Sequence, residues 1–331
     1  MTLLEERRRH VHPRLTALRA ALTSGDVDLE GKACVYVTGS FGRGEASLHS
    51  DLDLFIVGLT EGDGAGNPRR LLSAIDEALL KADLIRAARN LGFPEFDREG
   101  DFLVHHSLRD LVGTLGHPQD DVVNTFTARL LLLLESQTLL GEQVYEHIIE
   151  KVIAAYWIDF EGREDRFIPA FLANDILRLW RTFCVNYEAF TKREPEREKA
   201  KRKLKNYKLR HSRLITCYSA LAHLLETYRR DGTVRPEDVR HMVSQTPTGR
   251  LQWLVERQQG SVVAEHGSRC IELYETFLTA TDAPQESMIE TFLDRDKRRA
   301  LAEAENRFGD EMFGLLRSID PEGGLFRLLV I

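Results

Sequence analysis

The chain holds only four cysteines in 331 residues, Cys34, Cys184, Cys217 and Cys270, and no two stand at a Cys-x-x-Cys spacing. That scatter excludes a zinc ribbon or a thioredoxin-like pair. Each cysteine sits in an apolar or helical stretch, where a buried free thiol and a reducing compartment are the expectation. Long hydrophobic runs are missing too: the longest aliphatic block, Leu130–Leu134, is far too short to cross a bilayer. The opening MTLLEERRRHVHPRL carries charges where a secretory leader needs its apolar core. A cytoplasmic protein with no membrane partner is expected. No segment recurs at a fixed period, which argues against a solenoid. The eleven histidines form no His-Glu-x-x-His or His-Asp pair, which argues against a phosphohydrolase domain of the His–Asp type.

What is present is a chain of 43% hydrophobic composition, long enough for more than one domain. Its formal charge of −7 means that any contact with a polyanion must be local. Residues 2–23 read as an amphipathic helix interrupted or re-aimed at Pro13. Ala33–Thr38 (ACVYVT) and Leu52–Val57 (LDLFIV) read as strands, residues 69–91 as a helix, and Phe102–His106 as a third strand. Beyond that, residues 121–157, 170–191, 205–230, 236–257, 261–280 and 286–318 all carry helical periodicity. The organisation is α+β: residues 1–115 form an α/β domain with an N-terminal helix, and residues 116–331 a mostly α-helical one.

Chemistry concentrates in Thr38-Gly-Ser-Phe-Gly-Arg-Gly-Glu45 and the following Ser50-Asp-Leu-Asp-Leu-Phe55. Asp51 and Asp53 stand two apart in a strand-like run, so both project from one face. Their mutual repulsion is relieved by a divalent cation, and hard oxygen ligands with substrate phosphates suit Mg²⁺ or Mn²⁺. Gly39, Gly42 and Gly44 let the backbone approach a polyanion and take positive φ, and a glycine-rich turn entering a helix offers N–H groups to phosphate. Ser40 is a donor to a terminal phosphate, and Arg43 a partner for phosphate or for the carboxylates.

Gly39-Ser40 followed by Asp51 and Asp53 among apolar positions resembles the signature of the DNA polymerase β-like nucleotidyltransferase superfamily. The run GSFGRGEASLHSDLDLF is most similar to the PII-uridylyltransferase type. DDVVNTFTARLLLLLES, FLANDILRLWRTFCVNYE and KLRHSRLITCYS resemble a bacterial group of largely uncharacterised nucleotidyltransferases. The resemblance implies a small mixed-sheet palm, an appended helical domain completing the nucleotide cleft, and NTP or dNTP as substrate. It implies that Ser40 touches the triphosphate and that Asp51 and Asp53 hold two metals. It also implies a third carboxylate from a neighbouring strand, for which Asp101 is the choice and Asp97, Glu99 and Glu95 the competitors.

From Lys192 to Arg213 the sequence packs 11 Lys or Arg against 3 Glu, a local balance of +8. Such clustering points to a polyphosphate or nucleic-acid contact, with a solvated linker as the alternative for 192–203. Lys205 and Lys208 are the expected phosphate ligands there, in line with a helical-domain lysine in related enzymes. Arg178 and Arg181, with Asn174 on the same helical face, could reach a phosphate or pair with Asp175. The expected function is transfer of a nucleoside monophosphate to a hydroxyl. An oligonucleotide acceptor, as in bacterial antiphage signalling, stands beside a protein or small-molecule acceptor, as in uridylylation or AMPylation. A catalytically idle nucleotide sensor is the alternative from another class.

Overall fold

The computed structural model describes residues 2–23, 27–61, 69–96, 103–188 and 195–323. The chain divides into two compact units, Met1–Ala155 and Tyr156–Ile331.

The first unit runs α1 (Leu3–Thr23), β1 (Ala33–Thr38), α2 (Gly39–Gly42), β2 (Asp53–Gly58), β3 (Thr60–Glu61), β4 (Arg69–Arg70), α3 (Ala74–Asn90), β5 (His105–Ser107), α4 (Leu108–Gly113), α5 (Gln119–Val122), α6 (Thr125–Glu135), β6 (Gln137–Leu140) and α7 (Glu142–Tyr156). Four strands form one mixed sheet in the order β5–β2–β1–β6. β1 pairs antiparallel with both β2 and β6, and β2 pairs parallel with β5. Every residue of β1 is buried because the sheet is covered on both faces. On one face Val35, Val37, Leu54 and Ile56 pack with Val11, Leu15 and Leu18 of α1 and Leu80 and Leu84 of α3. On the other, Tyr36 stacks on Phe55 with ring centroids 5.5 Å apart, meets Tyr145 of α7 and donates its hydroxyl to the Ala128 carbonyl of α6.

Four sequence expectations change in this unit. Pro13 lies inside a continuous α1. The cost of its missing N–H is offset by the apolar stripe that α1 buries against the sheet. The stretch expected to be helical over 121–157 contains β6, which completes the sheet beside β1. The third strand begins at His105 and ends at Ser107, where the Ser107 hydroxyl accepts from the Asp110 amide and starts α4. The packing division falls after Ala155, beyond the expected 115, because β6 and the neighbouring α6 pack on β1.

The second unit is helical: α8 (Ala170–Glu188), α9 (Glu196–Asp231), α10 (Pro236–Val243), α11 (Pro247–Arg257), α12 (Val262–Ala280), α13 (Gln285–Leu293) and α14 (Arg295–Ile319). The 36-residue α9 is its spine, and α8, α10, α11, α13 and α14 all pack on it. Its C-terminal half is buried from Ile215 through Cys217 and Ser219 through Thr227, and it stops at Gly232, whose φ of 71° is left-handed. The single helices expected over 236–257 and 286–318 are each two. Pro247 starts α11 behind a Thr246 cap, and Asp294 caps α14 through the amides of Asp296 and Lys297. Among the described residues, no helix is long and apolar enough to cross a membrane.

Candidate active site

β1 ends at Thr38, and the next four residues turn at once into α2. Gly39 makes that turn with φ of 62°, a conformation costly for any residue with a Cβ. Its missing side chain also makes room for a carboxylate: a Cβ on Gly39 would lie 2.3 Å from Asp53 Oδ2. The closeness follows from the β1–β2 register, which sets Asp53 directly opposite Thr38. Asp53 opens β2 as its one exposed residue, and Asp51 is exposed two residues before it. The connecting loop is pinned by serines, with Ser47 N donating to Ser50 Oγ at 2.9 Å and His49 N to Ser47 Oγ at 3.1 Å. Gly39, Ser40 and Asp53 therefore lie at one end of the two central strands. Ser40 is half-buried, and its hydroxyl makes no hydrogen bond among the described residues.

The turn is held from behind by a residue distant in sequence. Glu135, the last residue of α6, accepts from Gly39 N at 3.1 Å through Oε1 and from Arg43 Nη1 at 2.9 Å through Oε2. Arg43 also donates through Nε to Glu45 Oε1 at 2.6 Å, and Arg7 donates to the Glu45 carbonyl at 3.2 Å. Two guanidinium groups and two carboxylates thus balance inside the protein, which is the condition under which buried charge is tolerated.

This network corrects two expectations. Arg43 is buried with its guanidinium committed to Glu45 and Glu135, so it braces the turn and does not reach out to phosphate. Gly42 is needed for packing: a Cβ there would sit 2.0 Å from the Glu135 carbonyl oxygen. The Gly39 amide is occupied by Glu135, so its contribution to a phosphate cradle is conformational. Glu135 itself escaped the sequence reading, and its one signal is that it is the sole charge closing a run of five leucines.

Of the third-carboxylate candidates, Asp101, Asp97 and Glu99 lie outside the described residues. Glu95 is exposed and 3.7 Å from Arg89. Among the described residues, no group of three or more His, Cys, Asp or Glu side chains is arranged to hold a metal ion. Asp51 and Asp53, both exposed and two apart in sequence, are oxygen donors of the kind a hard divalent cation takes alongside phosphate oxygens and water. On β5, His105 Nδ1 lies 2.9 Å from Glu77 Oε2, and burial pushes its pKa down despite that partner; His106 packs on Phe55. Both are absorbed by the fold. Burial pushes the Cys34 and Cys270 thiols up to about 12, which leaves them unreactive.

Residues 26–87 match the family model described as a nucleotidyltransferase domain, and the match spans β1, the glycine turn, Asp51 and Asp53. This segment is a nucleotidyltransferase domain of the polymerase β-like superfamily. Such a domain indicates a transferase of phosphorus-containing groups and implies a nucleoside triphosphate as substrate. No curated protein matches the chain.

The other expected phosphate ligands belong to the helical unit. Arg178 lies on α8, 3.8 Å from Asp175, whose carboxylate also accepts from the Tyr156 hydroxyl at 2.7 Å. Arg181 is exposed on α8, Lys205 is exposed on α9, and Lys208 is half-buried there. Asn174 spends its amide on the Ala170 carbonyl.

Proposed function

We propose that the nucleotidyltransferase moves a nucleoside monophosphate from an NTP or dNTP to a hydroxyl acceptor and releases pyrophosphate, with Ser40, Asp51 and Asp53 at the reacting end. The observation that carries this reading is the Asp53 carboxylate seated against the bare Cα of Gly39, so that one turn presents an acid and a hydroxyl together. Ser40 Oγ, without a protein partner among the described residues, donates to a phosphate oxygen. Asp51 and Asp53 would hold Mg²⁺ or Mn²⁺, which when bound neutralises the phosphates and acidifies the acceptor hydroxyl. Glu135 and Arg43 keep the turn in one geometry, so the reacting groups are positioned before substrate arrives.

The acceptor we favour is a nucleotide or oligonucleotide, because the +8 segment from Lys192 to Arg213 suits phosphodiesters within an otherwise acidic chain. An antiphage signalling product is the biological form of that reading. The test incubates the full chain with each labelled NTP and dNTP plus Mg²⁺ or Mn²⁺ and resolves products by size. A free nucleotide or oligomer product, lost in Asp51→Asn and in Asp53→Asn, is expected. A labelled protein band assigns uridylylation or AMPylation instead. Undiminished transfer by either variant overturns the site, and no product from any substrate favours an idle sensor.

A further inference from the structure

The helical unit contains a cavity of about 580 Å³ between α9 and the start of α14, within the ~300–1,000 Å³ range of ligand sites. Two basic runs far apart in sequence meet there. Lys203 comes from the α9 cluster, and Arg295, Arg298 and Arg299 come from Arg295-Asp-Lys-Arg-Arg299. The cavity also contains two carboxylates, Asp296 and Glu305, and Arg210 occupies Glu305 at 2.7 Å. Positive charge is therefore in surplus.

The cations differ in how far the protein uses them. Arg298 donates to the Phe292 carbonyl at 3.2 Å, and Arg299 to Glu303 at 3.1 Å. Lys203 and Arg295 make no hydrogen bond or ion pair among the described residues. The amide of Asn206, which lines the same cavity, has its Oδ1 buried without a partner. A buried amide oxygen left without a donor is unfavourable, and the NH₂ of the same side chain is the group able to donate to an oxyanion. The first amides of α14 are already capped by Asp294, so the attraction comes from side chains and not from a helix end.

We propose that this cavity is a second phosphate-binding site, in which Lys203, Arg295 and Asn206 hold phosphate oxygens of a nucleotidic ligand. The choice of a nucleotidic ligand rests on the nucleotidyl-transfer reading; the site itself does not require turnover. The phosphates come either from a mononucleotide or from a single-stranded oligonucleotide, and the same experiment separates the two.

Full-length protein in chelator, where no transfer runs, is titrated with fluorescein-labelled oligothymidylate and separately with ATP, across a range of salt. Lys203→Ala/Arg295→Ala is compared with Lys297→Ala/Arg317→Ala, which removes the same charge from exposed α14 positions outside the cavity. The cavity pair should raise Kd by roughly tenfold or more. It should also reduce the salt slope for the oligonucleotide by about 0.7 per lost contact. The control pair should stay near wild type, and Asn206→Ala should weaken binding with the salt slope unchanged. Loss confined to ATP assigns a mononucleotide, and loss confined to oligothymidylate assigns a strand. Equal loss in the control pair, or no loss for either ligand, overturns the proposal. Because the readout is binding without turnover, that result would leave the transfer reading intact, and a failed transfer assay would leave this one intact.

Discussion

Replacing Arg43 by methionine tests the brace behind the glycine turn. Methionine preserves most of the stem volume and removes the charge, leaving Glu45 and Glu135, each 3% exposed, with one guanidinium fewer. Breaking a buried ion pair by deleting one partner costs about 3–5 kcal/mol, because the remaining charge is uncompensated. For a unit of this size each kcal/mol moves Tm by about 2–4 °C, so the first unit should melt roughly 6–20 °C lower. The three tryptophans, Trp157, Trp180 and Trp253, all fall in the second unit, so the assay needs two probes. Far-UV circular dichroism should show an early transition, while tryptophan fluorescence reports the helical unit. Glu135→Gln is the graded comparison: with its amide oxygen still accepting from Gly39 N, its NH₂ faces the Arg43 guanidinium, so that hydrogen bond and the charge are lost together, for about 1–3 kcal/mol. An Arg43→Met protein that melts within about 2 °C of wild type would refute the reasoning, since a buried carboxylate pair cannot lose its cation at so small a cost.

Gly39→Ala should cost only about 1–2 kcal/mol of stability from its left-handed φ, yet abolish transfer by displacing the Asp53 carboxylate; a melt and a transfer assay on one sample check both. NTP with Mg²⁺ should raise Tm, by an increment equivalent to about 2.7 kcal/mol at a hundredfold excess over Kd, and NTP with chelator should raise it far less. The helical unit should lose stability in acid. Burial pushes His211 down to about 4, and burial with Arg250 nearby pushes His223 down to about 3. Both pKa values lie below the unfolded value of about 6.5, so their contribution is complete above pH ~6.5 and is lost as pH falls towards 4. His211→Phe keeps a ring between Phe277 and Phe308 and should flatten the slope between those limits by on the order of 3 kcal/mol. An unchanged acid limb in urea titrations would remove His211 from the account.

The parts of the site that were legible are those whose chemistry is local. ACVYVT gives β1 at its observed boundaries because β-branched and aromatic residues suit a strand covered on both faces. Asp51 and Asp53 stand out because two carboxylates two residues apart at the mouth of an apolar run repel each other unless a cation binds them. What stayed hidden depends on contacts between distant segments. Gln137–Leu140 is four residues between two helices, too short to display a period of two. Arg43 looks like a phosphate ligand until Glu135 arrives from the end of α6 to claim it. The charged start of α9 leaves a phosphate contact and a solvated linker open in the sequence, and only folding brings Lys203 beside the second basic run at Arg295–Arg299.

Strand order has a consequence for how this protein is made. The two motif-bearing strands lie at the centre of β5–β2–β1–β6, and both edges come from later in the chain. A nascent polypeptide that has emerged through Asn90 has, of this sheet, only β1 and β2 with α1 and α3 on one face; the face later covered by α6 and α7 and both edges are still open. At about 5–20 residues per second the ribosome needs several more seconds to deliver Gln137–Leu140. During that interval the free edge of β1 can recruit a strand from any neighbouring chain. A fragment cut at the end of the family match at residue 87 would inherit the same exposure permanently. It would contain Gly39, Ser40, Asp51 and Asp53 but neither edge strand nor the α6–α7 cover, and should be prone to aggregate, so expression trials should carry the chain past β6 into α7.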